Sequence, residues 1–273
     1  MSRLFKITSI LFILFFIFIL FTGMTYNIDS QQKIQHISSY STKFDCLKKE
    51  RTYNISLAVS KFCWHLVRPN EELSFNEVVG KRNEENGFKI SKVIVDGEYV
   101  DGIGGGVCQV STTLYNAWIR ADLDVKKVRS HTLPSSYVDL SLDATVSDCI
   151  DLVLFNNTSF NVIVNGYIKE DKIVFDIYGR PLDYKIDIKT KIVKEIKPKE
   201  PKIEYLSSLE GLGEPDINNI VTLRKGKNGY ISRAYVEYYS KDGKYLYNKM
   251  LREDYYLPQN PIYAMLLNDE IID

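Results

Sequence analysis

Residues 102–118 read GIGGGVCQVSTTLYNAW and join a glycine-rich turn to an apolar helical pattern. Four of the first five positions are glycine, the residue used where the backbone takes a positive φ or another group approaches closely. Apolar residues then recur at spacings of three and four, which predicts a helix from about Cys108 to Ala121 with one buried face. Cys108 therefore lies in the first turn of this predicted helix, behind a flexible approach.

Short strand patterns lie on both sides of the helix. Residues 89–102 (KISKVIVDGEYVDG) predict two strands around Asp96-Gly97, and residues 160–179 predict two more around Glu170-Asp171. Further strands are predicted over 124–131 and over one or two stretches of 137–158. This order, with the helix described next, is typical of an α+β domain in which a Cys-bearing helix packs against an antiparallel sheet.

Two segments precede the glycine-rich turn. Residues 45–67 carry apolar side chains at helical spacing and predict a helix with Asp45 as a candidate N-cap. Residues 72–80 (ELSFNEVVG) are strand-like, and residues 26–44 are polar and predict a stalk.

The composition changes at about residue 183. Apolar and charged residues alternate from there, and Asn228-Gly229 and Asp242-Gly243 predict tight hairpins. Residues 183–273 therefore predict a small, elongated, mostly β module whose charged residues form a solvated surface.

The amino terminus predicts export. Arg3 and Lys6 precede the apolar run Ile7–Met24, whose length lies between that of a signal peptide and that of a spanning helix. Basic residues before the run favour an N-terminus inside the cell. We expect a signal-anchor helix over 1–25, hence a single-pass protein of the cell membrane with its C-terminal domains outside the cytoplasm. The alternative is a cleaved signal peptide, which also exports the rest of the chain.

Composition and motifs argue against several functions. The formal net charge is zero, so we predict no nucleic-acid partner. The glycine-rich turn lacks the third glycine of a dinucleotide site, and the chain has neither an H-E-x-x-H motif nor paired C-x-x-C motifs. We predict no cofactor and no metal site.

The four cysteines suggest no disulfide framework. Cys46 and Cys63 flank or lie within one predicted helix and are too far apart to bridge if it is continuous. Cys149 lies in an apolar strand pattern and is predicted to be buried. Cys108 is thus predicted to be a free thiol outside the cytoplasm.

Two long runs resemble a known family. Residues 73–118 (LSFNEVVG through GGGVCQVSTTLYNAW) and residues 129–158 (RSHTLPSSYVDLSLDATVSDCIDLVLFNNT) resemble the VanW domain, whose members are mostly bacterial cell-envelope proteins. With the preceding helix this domain would span 45–182. Residues 224–256 are similar to the G5 domain, a β module of cell-surface proteins proposed to bind amino-sugar polymers, with Gly226 and Gly229 at its marker positions. The resemblance implies an envelope role and no settled activity.

Three residues suggest nucleophilic chemistry. The helix N-terminus favours a Cys108 thiolate, and His131 follows as a candidate base. Asp143 could orient the imidazole, although Asp139, Asp148 and Asp151 compete for that role. This chain order is that of transglutaminase-like and papain-like cysteine enzymes, by analogy of fold alone. It suits acyl transfer or amide hydrolysis, with peptidoglycan stem peptides as the available substrate.

A substrate-binding surface is predicted around the thiol. Backbone N–H groups near Cys108, with Gln109 assisting, would form an oxyanion site. The glycines would let a substrate strand approach, and two tyrosines would stack on it. The candidate binding residues are Gly104, Gly105, Gly106, Gln109, Tyr115 and Tyr137.

Non-catalytic interpretations stay open. Cys108 could be a small core residue behind a glycine turn, with His131 fixing the Leu133-Pro134 corner. The same surface would then be a recognition groove for cell-wall glycan or peptide, and the G5-like module would add avidity. A third hypothesis is a scaffold protein of the cell wall.

Overall fold

The computed structural model describes residues 34–95, 98–216 and 219–267, which form a mixed but strand-rich chain with mostly antiparallel sheets. The described helices are α1 (Lys49–Ser60), α2 (Phe75–Val79) and α3 (Val107–Ile119). The strands are β1 (Gln35–Lys43), β2 (His65–Val67), β3 (Glu72–Ser74), β4 (Ile90–Val95), β5 (Glu98–Ile103), β6 (Asp124–Lys127), β7 (Val153–Phe155), β8 (Val162–Lys169), β9 (Lys172–Gly179), β10 (Lys185–Ile196), β11 (Lys202–Leu206), β12 (Val221–Arg224), β13 (Gly229–Tyr239), β14 (Tyr245–Tyr256) and β15 (Ile262–Leu266).

The central layer is a four-stranded antiparallel sheet in the order β1-β9-β8-β2. Helix α3 packs on β1 and β9, and α1 packs on α3 and β8. Leu114, Trp118 and Phe175 are fully buried in the resulting core. Each such side chain contributes roughly 1.5–3 kcal/mol by leaving water. The predicted Cys-bearing helix on an antiparallel sheet is confirmed.

Smaller sheets surround this layer. Strands β4 and β5 form a hairpin, and β3, β7 and β6 form a three-stranded sheet. The C-terminal module, residues 183–267 of the described chain, holds two three-stranded sheets in the orders β10-β13-β14 and β11-β15-β12. Within the second sheet, β11 and β15 run parallel.

Three predicted hairpins are confirmed as antiparallel pairs. They are β4-β5, β8-β9 and β13-β14. Glu170 at the second turn and Gly243 at the third take φ values of 56° and 89°, as tight turns require.

The predicted helix over 45–67 is wrong at both ends. Helix α1 begins only at Lys49, and Asp45 instead accepts a hydrogen bond from the Leu47 N–H at 3.0 Å. Trp64 takes a φ of 53°, which helical backbone does not allow, and β2 follows at once.

Residues 72–80, predicted to be strand-like, are only partly strand. Ser74 caps α2 by accepting from the Glu77 N–H at 3.1 Å.

The strands predicted over 137–158 are mostly wrong. Only β7 forms, and residues 132–152 are irregular. Cys149, predicted to be buried, lies exposed in this region. All four cysteines are free.

The hairpin predicted at Asn228-Gly229 is also wrong, since β12 and β13 belong to different sheets. Gly229 instead allows close packing, because a Cβ there would collide with the Tyr256 carbonyl oxygen.

Part of the predicted stalk is folded. Residues 35–43 form β1, whose Ser38 hydroxyl donates to the Ala117 carbonyl of α3 at 2.7 Å. The predicted membrane segment, residues 7–24, lies outside the described residues. Among the residues that are described, no helix combines the length and the apolar character needed to cross a membrane.

Candidate active site around Cys108

Helix α3 is closed to solvent except at one position. Twelve of its 13 residues are buried, and Cys108 in its first turn is partly exposed. A central helix that is buried on all sides is expected to be apolar, yet α3 carries several polar side chains. Those side chains organise the site.

The glycines before α3 let β4 and α1 approach its N-terminus. A Cβ at Gly105 would lie 2.5 Å from the carbonyl oxygen of Lys92 in β4, and one at Gly106 would lie 2.8 Å from Ile55 of α1. Gly106 is the N-cap residue with a φ of 107°. Gly104, Gly105 and Gly106 are all buried. Because these residues lack a Cβ, β4 and α1 pack closely against the start of α3, and this packing fixes the position of Cys108.

Polar side chains of α3 hold an irregular segment, residues 142–146, alongside the helix. The Asn116 Nδ2 donates to the Leu142 carbonyl at 2.6 Å. One turn earlier, the Thr112 hydroxyl accepts from the Ala144 N–H at 2.9 Å. Ser111 donates to the Ala144 carbonyl at 2.6 Å. Side chains thus replace a neighbouring strand as hydrogen-bond partners for this backbone.

Cys108 is the fourth side chain in a row along α3, after Asn116, Thr112 and Ser111, that contacts segment 142–146. Its Sγ lies 3.3 Å from the Val146 carbonyl oxygen and 3.5 Å from the Val146 nitrogen. The thiol can donate to the carbonyl, and the sulfur can accept from the N–H, so Val146 can serve both protonation states.

His131 and Asp143 form a buried pair beside the thiol. The Nδ1 of His131 lies 2.6 Å from Oδ2 of Asp143, and the His131 backbone N–H donates to the same oxygen at 2.6 Å. The Asp143 side chain is 1% exposed. Because Nδ1 faces the carboxylate, Nε2 is the ring nitrogen left for the thiol, and the imidazole lies close enough to Cys108 for each group to shift the pKa of the other.

Two residues of the C-terminal module complete the surroundings of Asp143. The Tyr256 hydroxyl donates to Oδ1 of Asp143 at 2.6 Å. The Arg252 guanidinium donates to the Asp143 main-chain carbonyl at 2.9 Å. The carboxylate thus accepts three hydrogen bonds, which a buried anion requires.

The hydrogen bonds and charges favour a charged thiolate–imidazolium pair. Burial by itself would raise the pKa of the Cys108 thiol, but the hydrogen bond and charge of His131 outweigh it, and the Val146 N–H and the Arg82 charge lower the pKa further. Burial opposes the charged form of His131 as well. Its hydrogen bonds to Asp143 and Cys108 nevertheless raise its pKa from 6.5 to about 10.

Asp143 stays ionised for the same reason. Burial would raise the pKa of its carboxyl group, but the hydrogen bonds and charge of His131 and the Tyr256 hydroxyl lower it. A thiol, a histidine and a buried carboxylate thus lie next to one another in the order that an activated cysteine nucleophile requires.

Part of the chain matches a known family model. Residues 50–178 match the family model described as VanW like protein. The chain carries a VanW-like domain. Cys108, His131 and Asp143 all fall within the matched residues.

Two curated proteins match part of the chain. The uncharacterized protein YoaR of Bacillus subtilis (strain 168) is 47% identical over 113 residues, which cover 41% of this chain and 37% of that protein. The vancomycin B-type resistance protein VanW of Enterococcus faecalis (strain ATCC 700802 / V583) is 25% identical over 148 residues, covering 52% of this chain and 54% of that protein. The chain therefore spans less than two thirds of either relative.

A solved structure also aligns with part of the chain. The crystal structure of HP0197-G5 aligns at 27% identity with 30% of this chain and 97% of its own length, with a TM-score of 0.15.

The other three candidate aspartates do not contact His131. Asp151 accepts from the Ser74 hydroxyl at 2.5 Å and from the Asn76 N–H at 3.0 Å. Asp148 is exposed and pairs with Arg82 at 3.5 Å, and Asp139 is exposed. Of the four candidate aspartates, the structure brings Asp143 to His131.

The predicted binding residues divide into two groups. The Gln109 amide is engaged away from the thiol, with Arg51 at 2.8 Å and the Lys43 carbonyl at 2.8 Å. Tyr115 is 2% exposed and lies in the core, under Arg252. Tyr137 is partly exposed, hydrogen-bonds to Thr112 and lies close enough for the Cys108 charge to affect it. The structure thus brings Tyr137 to the thiol, and it does not bring Tyr115 or the Gln109 amide there.

Sequence reasoning missed Val146, Arg252 and Tyr256. Val146 lies in DATVS, a motif already noted for the family resemblance, so that motif was a usable signal. Tyr256 is 113 positions from Asp143, and no local pattern connects them.

Proposed function

We propose that this chain is a cysteine acyltransferase or amide hydrolase of the bacterial cell envelope that acts on peptide bonds of peptidoglycan. The observation that carries this proposal is that Cys108, His131 and Asp143 are neighbours, with the Asp143 carboxylate on Nδ1 of His131 and Nε2 left for the thiol. Cys108 is the one residue of this otherwise buried helix that is partly exposed. A core cysteine would not need a charged histidine beside it.

The chemistry follows from these positions. The Cys108 thiolate attacks the carbonyl carbon of an amide, and the electron pair of the C=O bond moves onto oxygen. When this intermediate collapses, the C–N bond breaks, and His131 gives its Nε2 proton to the leaving amine. A thioester remains on Cys108. Water or a second amine then attacks the thioester and gives a proton to His131, which returns the thiolate–imidazolium pair once the acyl group has left.

The envelope substrate is supported by sequence. The predicted export of residues after 25 places the thiol outside the cytoplasm, where peptidoglycan supplies amide bonds. The VanW-like domain adds the family's envelope association, although no resistance activity is transferred from the Enterococcus protein. The predicted membrane anchor would keep the site near newly made wall.

Mass spectrometry tests the enzyme proposal. The full-length chain is incubated with purified peptidoglycan fragments, and both the intact protein mass and the soluble products are followed. We expect an acyl adduct on Cys108 and release of an amine-bearing fragment, and both should be lost in Cys108→Ser. Cys149→Ser, which removes an exposed thiol, is the matched control. Equal products from Cys108→Ser, or no adduct and no product, would contradict the enzyme proposal.

A second candidate is a non-catalytic glycan-binding protein. Strand β14 exposes about half of the side-chain surface of Tyr245, Tyr247 and Tyr255, at 48%, 54% and 51%. Aromatic faces of this kind suit stacking on sugar rings. In this version the chain co-sediments with peptidoglycan, Cys108→Ser binds as well as the unsubstituted chain, and Tyr247→Ala binds less.

A further inference from the structure

Four hydrogen bonds join the end of β14 to the segments that carry His131 and Asp143. Two involve the Tyr256 hydroxyl, which donates to Oδ1 of Asp143 and accepts from the Ser141 N–H, both at 2.6 Å. Arg252 donates to the Asp143 carbonyl at 2.9 Å. The Leu257 N–H donates to the Thr132 carbonyl, next to His131, at 2.8 Å.

We propose that Tyr256 is a positioning residue that holds the Asp143 carboxylate against His131, so that the C-terminal module is a working part of the Cys108 site. This inference rests on the proposed function. It differs from the view that the module only adds affinity for the cell wall.

The direction of the Tyr256 hydrogen bonds supports this role. A phenol has one proton, and the Ser141 N–H already uses one of the lone pairs on its oxygen, so the proton is free for Asp143. Tyr256 is 0% exposed, so water cannot replace it. Burial and the neighbouring carboxylate raise the pKa of Tyr256, which keeps it a donor.

Arg252 holds the same segment from another side. Its guanidinium pairs with Asp254 through two nitrogens, each at 2.7 Å, while a third reaches the Asp143 carbonyl. This fork geometry belongs to arginine, and lysine cannot reproduce it. The Arg252 side chain is 9% exposed, so these bonds are shielded from solvent.

Charged and titratable side chains from several segments surround the site. Those near Asp143 and Tyr256 are His131, Arg252, Asp254, Tyr115 and Tyr137, and those near the thiol are His131, Arg82 and Tyr137. Loss of the Tyr256 hydroxyl removes one hydrogen bond to the charged form of Asp143. Protonation of Asp143 then occurs at higher pH, and the imidazolium beside the thiol loses its counter-charge.

The test measures the pH profile of iodoacetamide labelling at Cys108 in the full-length chain. Cys46, Cys63 and Cys149 are replaced by serine because all three are exposed and would also label. In Tyr256→Phe we expect the acidic side of the profile, where labelling of Cys108 falls off, to move to higher pH than in the unsubstituted chain. The labelling rate should fall by about tenfold in mildly acidic buffer, and the alkaline plateau should stay unchanged. Arg252→Lys, which keeps the positive charge beside Asp254, is a second variant with the same expected direction.

Tyr238→Phe is the matched control. Tyr238 also lies in the C-terminal module and donates to an aspartate of the VanW-like domain, Asp122, at 2.8 Å. It should lose comparable stability without changing the profile. A profile that shifts in His131→Asn but not in Tyr256→Phe or Arg252→Lys overturns the inference alone. A profile that shifts in none of the three overturns the Cys–His pair, and with it both the proposed function and the inference.

Discussion

His131 contacts one oxygen of Asp143 twice, through its backbone N–H and through its ring Nδ1, each at 2.6 Å. The first contact fixes the chain at His131, and the second fixes the ring and its tautomer. A single carboxylate oxygen thus aligns the candidate base. The buried Asp143 has His131 as its charge partner and forms no side-chain salt bridge with lysine or arginine among the described residues.

Asp143→Asn should uncouple the thiol from the histidine. An amide has one acceptor oxygen and one NH2 group, so it cannot accept from His131 and Tyr256 on both sides. We expect the labelling rate of Cys108 at neutral pH to fall by about tenfold or more. The control is Asp139→Asn, at an exposed position. Equal labelling rates in Asp143→Asn and the unsubstituted chain would remove the carboxylate from the proposed mechanism.

The Cys–His pair should give the stability of the protein a characteristic pH dependence. The raised pKa of His131 contributes stability that is complete below 6.5 and lost as pH rises toward about 10. The lowered pKa of Cys108 contributes stability that is complete above 9.0 and lost as pH falls through the folded-state pKa.

Where His131 and Cys108 are both charged in the native state and both neutral in the unfolded state, the two states bind equal numbers of protons at this pair, and the two slopes cancel. We therefore expect the free energy of unfolding of the unsubstituted chain, minus that of the double variant Cys108→Ser/His131→Asn, to be level in this window, to fall as pH rises past 9.0, and to fall as pH drops through the folded-state pKa of Cys108. Urea denaturation at a series of pH values measures it. A difference that stays constant from pH 5 to pH 10 would show that the pair is not charged.

Thr112→Val should damage both the fold and the site. It leaves the buried Ala144 N–H without an acceptor, which costs about 1–3 kcal/mol in the free energy of unfolding. Because Ala144 follows Asp143, we also expect slower labelling of Cys108. Thr113→Val is the control, since the Thr113 hydroxyl bonds to Thr42 and to the Gln109 carbonyl. Similar labelling rates in the two variants would show that the row along α3 does not position Asp143.

Gly105→Ala should lower stability. The new methyl group would lie 2.5 Å from the Lys92 carbonyl and 2.9 Å from the Ser91 Cβ, so β4 must move away from α3. Overpacking of this kind costs about 1–3 kcal/mol. Thermal unfolding measures it. An unchanged melting temperature would mean that the glycines are not needed for packing and would favour the substrate-approach role predicted from the sequence.

Local patterns were sufficient where one segment carried all the information. The apolar spacing in residues 107–121 predicted α3, and alternation with turn residues predicted the β4-β5 and β8-β9 hairpins. In these elements the main-chain partners are close in sequence. Cys108, His131 and Asp143 were also found locally, because a thiol after a glycine turn and a histidine at a proline corner are unusual by themselves.

Patterns failed where the partner is distant or is a side chain. Residues 142–146 alternate like a strand, but the polar face of α3 takes up part of their main-chain hydrogen-bonding capacity, so no sheet forms there. Asn228-Gly229 has the composition of a hairpin, yet its glycine is needed for contact with the end of β14.

The sequence by itself determined the α+β class, the Cys-bearing helix, and Cys108 and His131 as candidate site residues, because spacing and residue chemistry are local properties. The tertiary structure decided which of four aspartates meets His131 and brought Tyr256 and Arg252 to that aspartate. The contacts of Tyr256 and Arg252 depend on packing between segments more than 100 residues apart, where burial makes each missing hydrogen bond costly. The choice of Asp143 depends on how the irregular segment 142–146 lies along α3.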